Sequence, residues 1–303
     1  MAADLSLLLI AAIWGTTFAL LRDSMRILHP VELMALRFTI AGVIVTAVYA
    51  RRLRAVRGLW VWDGARTGLF LCAGYLFQVL GLVTITASRS AFLTSTYVPL
   101  TPFAAFLLQR TRPDLGGVLG IALVSLGLLA FSAHAGLGGG AGGVLSLGSG
   151  DLWTLGCAAA FAAQIIYTNV AARRSDYAVV TMIQLWITAG IGWGLVAARG
   201  GLSVPWSRVP WAEVVYLSTL ATAFVLTLQT WALGRIPPVR AAIIFSTEPI
   251  FAALFAGLFF GERMGREEIL GAAFILAGVF TTELWAPARQ WLRGRRAGAA
   301  TSR

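Results

Sequence analysis

Two charged residues lie deep inside apolar segments of this sequence. Arg37 is the only basic residue well inside such a segment, and among the thirteen acidic residues only Glu248 falls near the middle of one. If these segments cross a membrane, a charge at that depth costs at least about 3 kcal/mol, so it should face the protein interior and have a partner. We therefore predict that both residues face a cavity, neutralise each other and bind substrate. A pair that only locks two helices together is the alternative.

Polar and aromatic side chains share helix faces in several of these segments. Residues three apart lie on one face of a helix. The pairs with this spacing are Trp14 with Thr17, Tyr75 with Gln78, and Gln164 with Tyr167. The predicted substrate-binding set is completed by Tyr97, Gln184 and Gln229. Amides and hydroxyls can bind the two charged groups of a zwitterion, and aromatic faces accept apolar chains or cations. The alternative is interhelical hydrogen bonding, worth only about 0.6–2 kcal/mol in membranes.

Proline occurs inside the fourth and ninth apolar segments, at Pro99, Pro102 and Pro249. Proline removes a helix hydrogen bond and clashes with the preceding turn, which leaves backbone carbonyls free. At membrane depth such carbonyls are tolerated only against protein or a water-filled cavity. We therefore predict kinks at these positions that serve as hinges or substrate contacts. A fixed kink that helps packing is the alternative.

The composition places these residues in a membrane protein. Of 303 residues, 58% are hydrophobic and 12% are charged, with a mean hydropathy of +0.79, whereas a soluble domain carries about 25% charged residues. This composition excludes a water-soluble fold and also disorder, which needs low hydrophobicity and high charge. The basic residues behind the net charge of +11 are all Arg and are spread over loops. We therefore predict no nucleic-acid partner.

Ten apolar runs are long enough to cross a bilayer, since a helix needs about 20 residues to span a hydrocarbon core of roughly 30 Å. Helices satisfy their own backbone groups in lipid, and the alternating pattern of barrel strands is absent. We therefore predict an all-α membrane protein with ten transmembrane helices. The predicted spans lie near residues 5–21, 32–50, 67–85, 90–109, 115–132, 151–171, 178–198, 212–233, 239–260 and 267–285.

The two halves of the sequence resemble each other weakly but in the same order. Segment 97–100 aligns with 247–250 at an offset of 150, and Gly120 aligns with Gly271 at 151. Each half holds five spans, an odd number, so the second half must enter from the opposite side and the repeats are inverted. In secondary transporters of this architecture the substrate site lies near the midplane between the repeats. The predicted units are a five-helix repeat, a Gly-rich linker, a second five-helix repeat and a basic cytoplasmic tail, at residues 5–132, 133–150, 151–285 and 286–303.

Loop arginines set the predicted orientation. The loops on one side of the ten spans hold 16 Arg residues together with the tail, and the opposite loops hold 7. Cytoplasmic loops carry the excess of Arg and Lys in membrane proteins, so both termini are predicted to be cytoplasmic. The charges around the first span oppose this orientation, but the loop at 51–66 and the tail dominate the sum.

Three GxxxG pairs predict close contacts between helices, because glycine lets two backbones approach each other. They are Gly116 with Gly120, Gly190 with Gly194, and Gly257 with Gly261. We predict that these pairs belong to the scaffold. The sequence leaves open whether one of them forms a dimer contact.

The inventory of reactive residues argues against an enzyme. The two histidines, His29 and His134, fall in predicted loops, and HExxH, GxSxG and P-loop motifs are absent. We therefore predict neither catalysis nor direct use of ATP. Cys72 and Cys157 lie in apolar runs, where a thiol is usually a packing residue, and no metal or cofactor is predicted. A channel would need a ring of charges or a filter, which the sequence lacks.

An ordered set of short motifs resembles one family of transporters. The motifs are segment 11–18 (AAIWGTTF), Arg37-Phe38, segment 247–254 (TEPIFAAL) and the turn 261–263 (GER). Taken with ten spans in two units, they resemble an EamA-type member of the drug/metabolite transporter superfamily over residues 5–285. The turn after the fourth span, 110–113 (RTRP), departs from the family's usual Gly-Glu pair, so a role for this turn in both halves is not implied.

This resemblance implies a multi-pass transporter of the bacterial plasma membrane, working by alternating access and exporting amino acids or related small metabolites. Some family members are similar to exporters of aromatic amino acids. A multidrug or other-metabolite exporter of the same superfamily is the alternative. The partners would be a small-molecule substrate and the lipid bilayer. Proton coupling through Glu248 and exchange without an ion are both left open, as are the direction of transport and the oligomeric state.

Overall fold

The structure is helical wherever it is described, with turns and short 3₁₀ segments between the helices. The computed structural model describes residues 2–85, 87–134, 148–260, 265–266, 269–282 and 284–285. The helices are α1 (Ala2–Gly15), α2 (Thr17–Ser24), α3 (Pro30–Tyr49), α4 (Gly58–Leu82), α5 (Ala87–Ser95), α6 (Tyr97–Gln109), α7 (Leu115–His134), α8 (Ser149–Arg174), α9 (Tyr177–Ala198), α10 (Trp211–Ser218), α11 (Val225–Leu233), α12 (Pro238–Phe245), α13 (Glu248–Phe260) and α14 (Ile269–Thr282). The predicted all-α class is confirmed over these parts of the chain.

Within the described residues, six helical stretches are long and apolar enough to cross a membrane. They are Pro30–Ala55, Gly58–Leu82, Ser149–Arg174, Tyr177–Ala198, Trp211–Leu233 and Pro238–Phe255. Three shorter apolar helices also fall on predicted spans, at Ala2–Gly15, Leu115–Ala130 and Ile269–Thr282. The count of ten spans and their inverted relation stay predictions.

Three of the predicted spans are each divided into two helices. α1 gives way to α2 at Thr16, α5 to α6 at Thr96, and α12 to α13 at Ser246 and Thr247. At every break a Ser or Thr hydroxyl donates to the carbonyl three residues earlier, at 2.5–2.8 Å. Such a side chain competes with the backbone for the carbonyl and favours a bend or an end of the helix. The sequence predicts kinks in the fourth and ninth spans, at Pro99, Pro102 and Pro249, and no break in the first span.

The eighth predicted span contains a π-helical turn. It covers Thr219–Phe224 and joins α10 to α11. Such turns widen the helix and are frequent at functional sites. The Thr222 hydroxyl donates to the carbonyl of Leu217, 2.7 Å away and five residues earlier. The carbonyl of Ala221 in this turn accepts hydrogen bonds from side chains of α1 and α3, so the turn is a contact point between distant helices.

Helices from the two halves of the chain pack along each other. α4 lies against α8 and α9, and α3 lies against α9. Fully buried apolar side chains such as Leu7, Phe38 and Phe245 fill the core. Arg240 pairs with Asp4 at 3.0 Å, which places the start of α12 beside the start of α1. The fold therefore gathers residues that are distant in sequence around one centre.

Glycines allow some of the closest helix contacts. A Cβ atom on Gly278 in α14 would lie 2.7 Å from the carbonyl oxygen of Gly120, and one on Gly116 would clash with a neighbouring side chain at 2.2 Å. The contact predicted at Gly116 and Gly120 is therefore present. At Gly190 and Gly194 a Cβ atom would meet nothing within 4 Å, so this second pair forms no close contact within the described chain. The third predicted pair extends outside the described residues.

Replacing Gly278 with alanine is expected to destabilise the protein by about 1–3 kcal/mol, the usual effect of overpacking a close contact. The added methyl would press on the backbone of α7, which cannot rotate away as a side chain can. Gly190→Ala is the matched control, because it adds the same methyl where nothing lies within 4 Å. Thermal unfolding of both purified variants measures the effect. A wild-type melting temperature for Gly278→Ala would contradict this contact.

Candidate functional site

One cavity, called the central cavity below, lies beside all three helix breaks. A residue from each side of every break lines it: Trp14 and Thr17, Thr94 and Tyr97, and Phe245 and Glu248. Its volume of about 50 Å³ has room for a few water molecules. Polar groups near the breaks can therefore meet water or a solute at this point.

The central cavity brings together nine of the eleven predicted substrate-binding residues. They lie on helices of both halves of the chain, from α1 to α13. The nine are Trp14, Thr17, Arg37, Tyr75, Gln78, Tyr97, Gln164, Gln229 and Glu248. Residues from both halves of the chain thus form one polar and aromatic lining. Substrate binding by this lining stays a prediction.

The other two predicted residues, Tyr167 and Gln184, lie away from the central cavity. The ring of Tyr167 stacks on Phe70, with centroids 5.0 Å apart, and lines a second cavity. Three residues turn a helix by about 300°, so Tyr167 points about 60° away from Gln164. Gln184 is fully buried, and its amide donates to the Thr230 hydroxyl at 3.3 Å. Helical spacing alone therefore did not define the cavity lining.

The guanidinium of Arg37 binds the π-helical turn. Its Nε donates to Oγ1 of Thr222 at 2.5 Å, and its Nη2 donates to the carbonyl of Ala221 at 3.2 Å. The charge also lies 4.9 Å from the ring centroid of Tyr75, close enough for a cation–π attraction. Arg37 is 2% exposed. It therefore ties α3 to the helix that carries Gln229.

The carboxylate of Glu248 has no hydrogen-bond or ion-pair partner among the residues that the structure describes. Glu248 begins α13, is partly exposed and lines the central cavity. The prediction that Arg37 and Glu248 neutralise each other is therefore wrong for this structure. The two side chains do not pair because the hydroxyl and carbonyl of the π-helical turn already bind the guanidinium of Arg37. The two charges line one cavity without pairing.

The predicted kinks fall close to two of the helix breaks. Pro99 lies in the first turn of α6 and Pro249 in the first turn of α13, where a backbone N–H has no partner within the helix. Pro102 lies inside α6, which continues through it. The chain thus ends one helix before Pro99 and Pro249 and begins the next with the proline in its first turn. A hinge role for the three prolines stays a prediction.

Three further polar or aromatic residues that the sequence analysis did not select also line the central cavity. They are Thr94, Phe161 and Phe245. Phe161 precedes Gln164 by three residues, so the spacing rule could have found it. Thr94 lies in α5 and Phe245 ends α12, each across a helix break from the next site residue. Spacing could not predict these two, because a break changes the direction of the helix face.

The second cavity lies beside a buried acid that the sequence analysis also missed. Asp63, 3% exposed, accepts hydrogen bonds from two guanidinium nitrogens of Arg174 and from the hydroxyl of Ser175 at 2.7 Å. The cavity has a volume of about 180 Å³ and is also lined by Arg66 and Tyr167. The third span was predicted to begin at residue 67, which left Asp63 outside it. These contacts join the start of α4 to the end of α8.

Asp63→Asn is expected to lower the free energy of unfolding by about 1–3 kcal/mol, because it weakens charge-assisted hydrogen bonds to a buried carboxylate. Asp23→Asn is the matched control. Asp23 pairs with Arg26 at 3.5 Å, but the two side chains are 59% and 75% exposed, and such a pair contributes at most about 1 kcal/mol. Thermal unfolding compares the two variants. Equal effects would contradict a structural role for the Asp63 contacts.

The groups in the central cavity are suited to binding a small solute. They comprise two charges, amides, hydroxyls and aromatic faces, which recognise ligands by hydrogen bonds, charge and cation–π contacts. Among the described residues, no three His, Cys, Asp or Glu side chains come together in a way that could hold a metal ion. The cavity thus gathers polar and aromatic groups inside a bundle of apolar helices.

An apolar helical bundle with a polar cavity is typical of membrane transporters, and the comparison with known families agrees. The sequence matches the EamA-like transporter family over residues 1–133 and 148–283. The chain belongs to this family, which confirms the resemblance seen in its motifs.

Several relatives share most of the chain. An uncharacterized transporter of Archaeoglobus fulgidus is 30% identical over 287 residues, covering 93% of this chain and 86% of the relative. A probable amino-acid metabolite efflux pump of Salmonella typhimurium is 24% identical over 287 residues, covering 90% and 92%. A solved crystal structure has a TM-score of 0.74 over 95% of this chain and 98% of that chain. Its identity is 20%, so it shows the fold alone.

Proposed function

We propose that the protein exports amino acids or related small metabolites across the bacterial plasma membrane by alternating access. The central cavity carries this proposal, because it gathers polar and aromatic side chains of both halves around three helix breaks. Secondary transporters hold their substrates on discontinuous helices near the membrane midplane. The Salmonella typhimurium relative, a probable amino-acid metabolite efflux pump, supports the substrate class.

The proposal includes ten membrane crossings in two inverted units. Six of the crossings are the long helical stretches. The other four are the divided spans α1–α2 and α5–α6 and the helices α7 and α14. With both termini cytoplasmic, the proposal places the Asp4–Arg240 and Asp63–Arg174 pairs on the same side of the membrane. Both pairs form in the structure, which supports this arrangement. The family matches in two stretches separated at the predicted linker also support two units.

In this proposal the nine cavity residues bind the substrate, while the helix breaks act as hinges. Pro99 and Pro249 would keep the divided spans from re-forming as continuous helices, because each lacks the N–H that a continuous helix needs, while Pro102 would bend α6 from within. Tyr167 and Gln184 would instead hold helices together, as their contacts with Phe70 and Thr230 suggest. Transport would be driven either by proton coupling or by exchange down a solute gradient.

Uptake of radiolabelled amino acids into proteoliposomes tests the proposal. The panel contains aromatic and aliphatic amino acids, each with and without a proton gradient, and empty liposomes serve as the control. We expect saturable uptake that unlabelled substrate competes away, and the effect of the gradient decides the coupling. Folded protein that transports none of the panel would contradict amino-acid transport. The same assay would then be applied to other metabolites and drugs, the alternative substrates.

A further inference from the structure

We propose that the central cavity recognises a protonated amine, so that its substrate must carry an ammonium group but needs no carboxylate. This inference rests on the proposed function, since it names the chemical class that the same cavity would take. The protein itself already binds some of the charged and polar groups in the cavity and leaves others available, and this difference carries the proposal.

The accessible titratable group in the cavity is an acid. Glu248 is partly exposed, lines the cavity and has no partner among the described residues. A carboxylate at membrane depth is unfavourable without a partner. An ammonium group that enters the cavity would supply both the opposite charge and hydrogen-bond donors. A substrate carboxylate would be repelled from the same place.

The positive charge in the cavity is already bound. Arg37 donates to Thr222 and to the carbonyl of Ala221, lies over Tyr75 and is only 2% exposed. A solute carboxylate would have to displace these contacts in order to pair with the guanidinium. Arg37 therefore contributes to the site mainly by fixing the π-helical turn, and it is poorly placed to select an anion.

Two further side-chain donors near the site are also engaged. Nε1 of Trp14 donates to the carbonyl of Ala221 at 3.3 Å, and Nε2 of Gln164 donates to the hydroxyl of Thr168 at 2.9 Å. A carboxylate needs such donors to replace its hydration. The remaining donors of the lining are uncharged amides and hydroxyls, so the described lining offers no accessible cation for the acidic end of a zwitterion.

Aromatic rings form much of the remaining wall. Trp14 packs on Phe245 with centroids 5.5 Å apart, and Tyr75 packs on Phe161 at 5.4 Å. All four residues line the cavity with Glu248. Aromatic faces attract cations, and the attraction increases when the cation is desolvated. Ring faces and one unpaired carboxylate together form a site for an ammonium group on an apolar body.

Binding of two matched sets of probes to the purified full-length protein tests this proposal. The aromatic set is phenethylamine, L-phenylalanine and 3-phenylpropionate, and the aliphatic set is pentylamine, L-norleucine and hexanoate. Isothermal titration should show that the amine and the amino acid of at least one set bind. The corresponding carboxylate should bind at least about tenfold more weakly, a difference of about 1.4 kcal/mol.

Variants assign the preference to Glu248. Glu248→Gln should weaken amine binding by about tenfold or more, whereas Glu248→Asp should keep the preference for amines because it keeps the charge. Glu213→Gln, in the first turn of α10 and outside the cavity lining, is the matched control and should bind as the wild type does. Size-exclusion chromatography checks that each variant is folded.

Three results would overturn the proposal. They are carboxylates that bind as tightly as the amines, amines of both sets that do not bind, and Glu248→Gln with unchanged affinity in folded protein. Because binding is measured without transport, these results are separate from the uptake test. Uptake of a solute without an amine would also overturn this proposal, but it would leave the transporter function intact.

Discussion

Arg37→Gln is expected to reduce substrate uptake by more than about tenfold and to destabilise the protein by about 1–3 kcal/mol. The variant loses the hydrogen bonds from the guanidinium to Thr222 and to the carbonyl of Ala221. These bonds hold the π-helical turn to α3. Gln229 lies on α11, directly after that turn, and lines the central cavity. Loss of these hydrogen bonds would therefore shift Gln229 in the cavity lining as well as remove a charge.

The loss of stability should be limited, because both partners of Arg37 keep another hydrogen bond. The hydroxyl of Thr222 still donates to Leu217 at 2.7 Å, and the carbonyl of Ala221 still accepts from Trp14 at 3.3 Å. Neither group becomes a buried polar atom without a partner, which is the costlier outcome. The expected variant is folded and inactive, and this combination can be measured by thermal unfolding together with uptake.

Two controls separate charge from geometry at Arg37. Arg37→Lys keeps the positive charge but cannot reproduce the planar fork of the guanidinium, so its uptake should fall as well. Arg26→Gln removes an arginine whose side chain is 75% exposed and should transport as the wild type does. Wild-type uptake by Arg37→Gln would show that the tie between α3 and the π-helical turn is not needed for transport.

Gly15→Ala is also expected to reduce uptake by about tenfold or more, since overpacking forces backbone shifts that cost about 1–3 kcal/mol. Gly15 ends α1, immediately before the first helix break. A Cβ atom there would lie 2.8 Å from the backbone nitrogen of Ala252 and 3.1 Å from the carbonyl oxygen of Glu248. Backbone atoms cannot rotate out of the way. The first turn of α13 would have to move, and the cavity carboxylate would move with it.

Gly194→Ala is the control for Gly15→Ala. Gly194 lies in α9, where a Cβ atom would meet nothing within 4 Å, so uptake and melting temperature should stay at wild-type values. Uptake per folded protein is the deciding quantity, because Gly15→Ala could also reduce the yield. Normal uptake by folded Gly15→Ala would contradict the close fit of α1 against α13.

The sequence predicts the helical class and most of the cavity lining for simple physical reasons. Lipid permits few polar side chains, so the polar residues inside apolar runs form a short and informative set. The family motifs contain Gly15, Arg37 and Glu248, and each lies at or beside the central cavity. The spacing rule succeeds for the pair that contains Gln78, whereas only Gln164 of its own pair lines this cavity.

The sequence does not predict how the buried charges are partnered. Arg37 binds a hydroxyl and a carbonyl that are 185 and 184 residues away, respectively, and no pattern indicates that a π-helical turn would present them. The contact between Asp63 and Arg174 spans 111 residues. The break at Thr16 follows no proline and could not be predicted from helix propensity alone, because serine and threonine also occur within continuous helices. Tertiary contacts decide these features.

Comparing Gln164→Leu with Tyr167→Phe in one proteoliposome preparation tests the claim that substrate passes through the central cavity. Both changes remove a polar group and keep most of the side-chain volume, and both lie on α8 within one turn. Only Gln164 lines the central cavity; Tyr167 lines the second one. We predict that Gln164→Leu loses uptake by about tenfold or more and that Tyr167→Phe keeps it. Equal losses, or a loss only in Tyr167→Phe, would contradict the account.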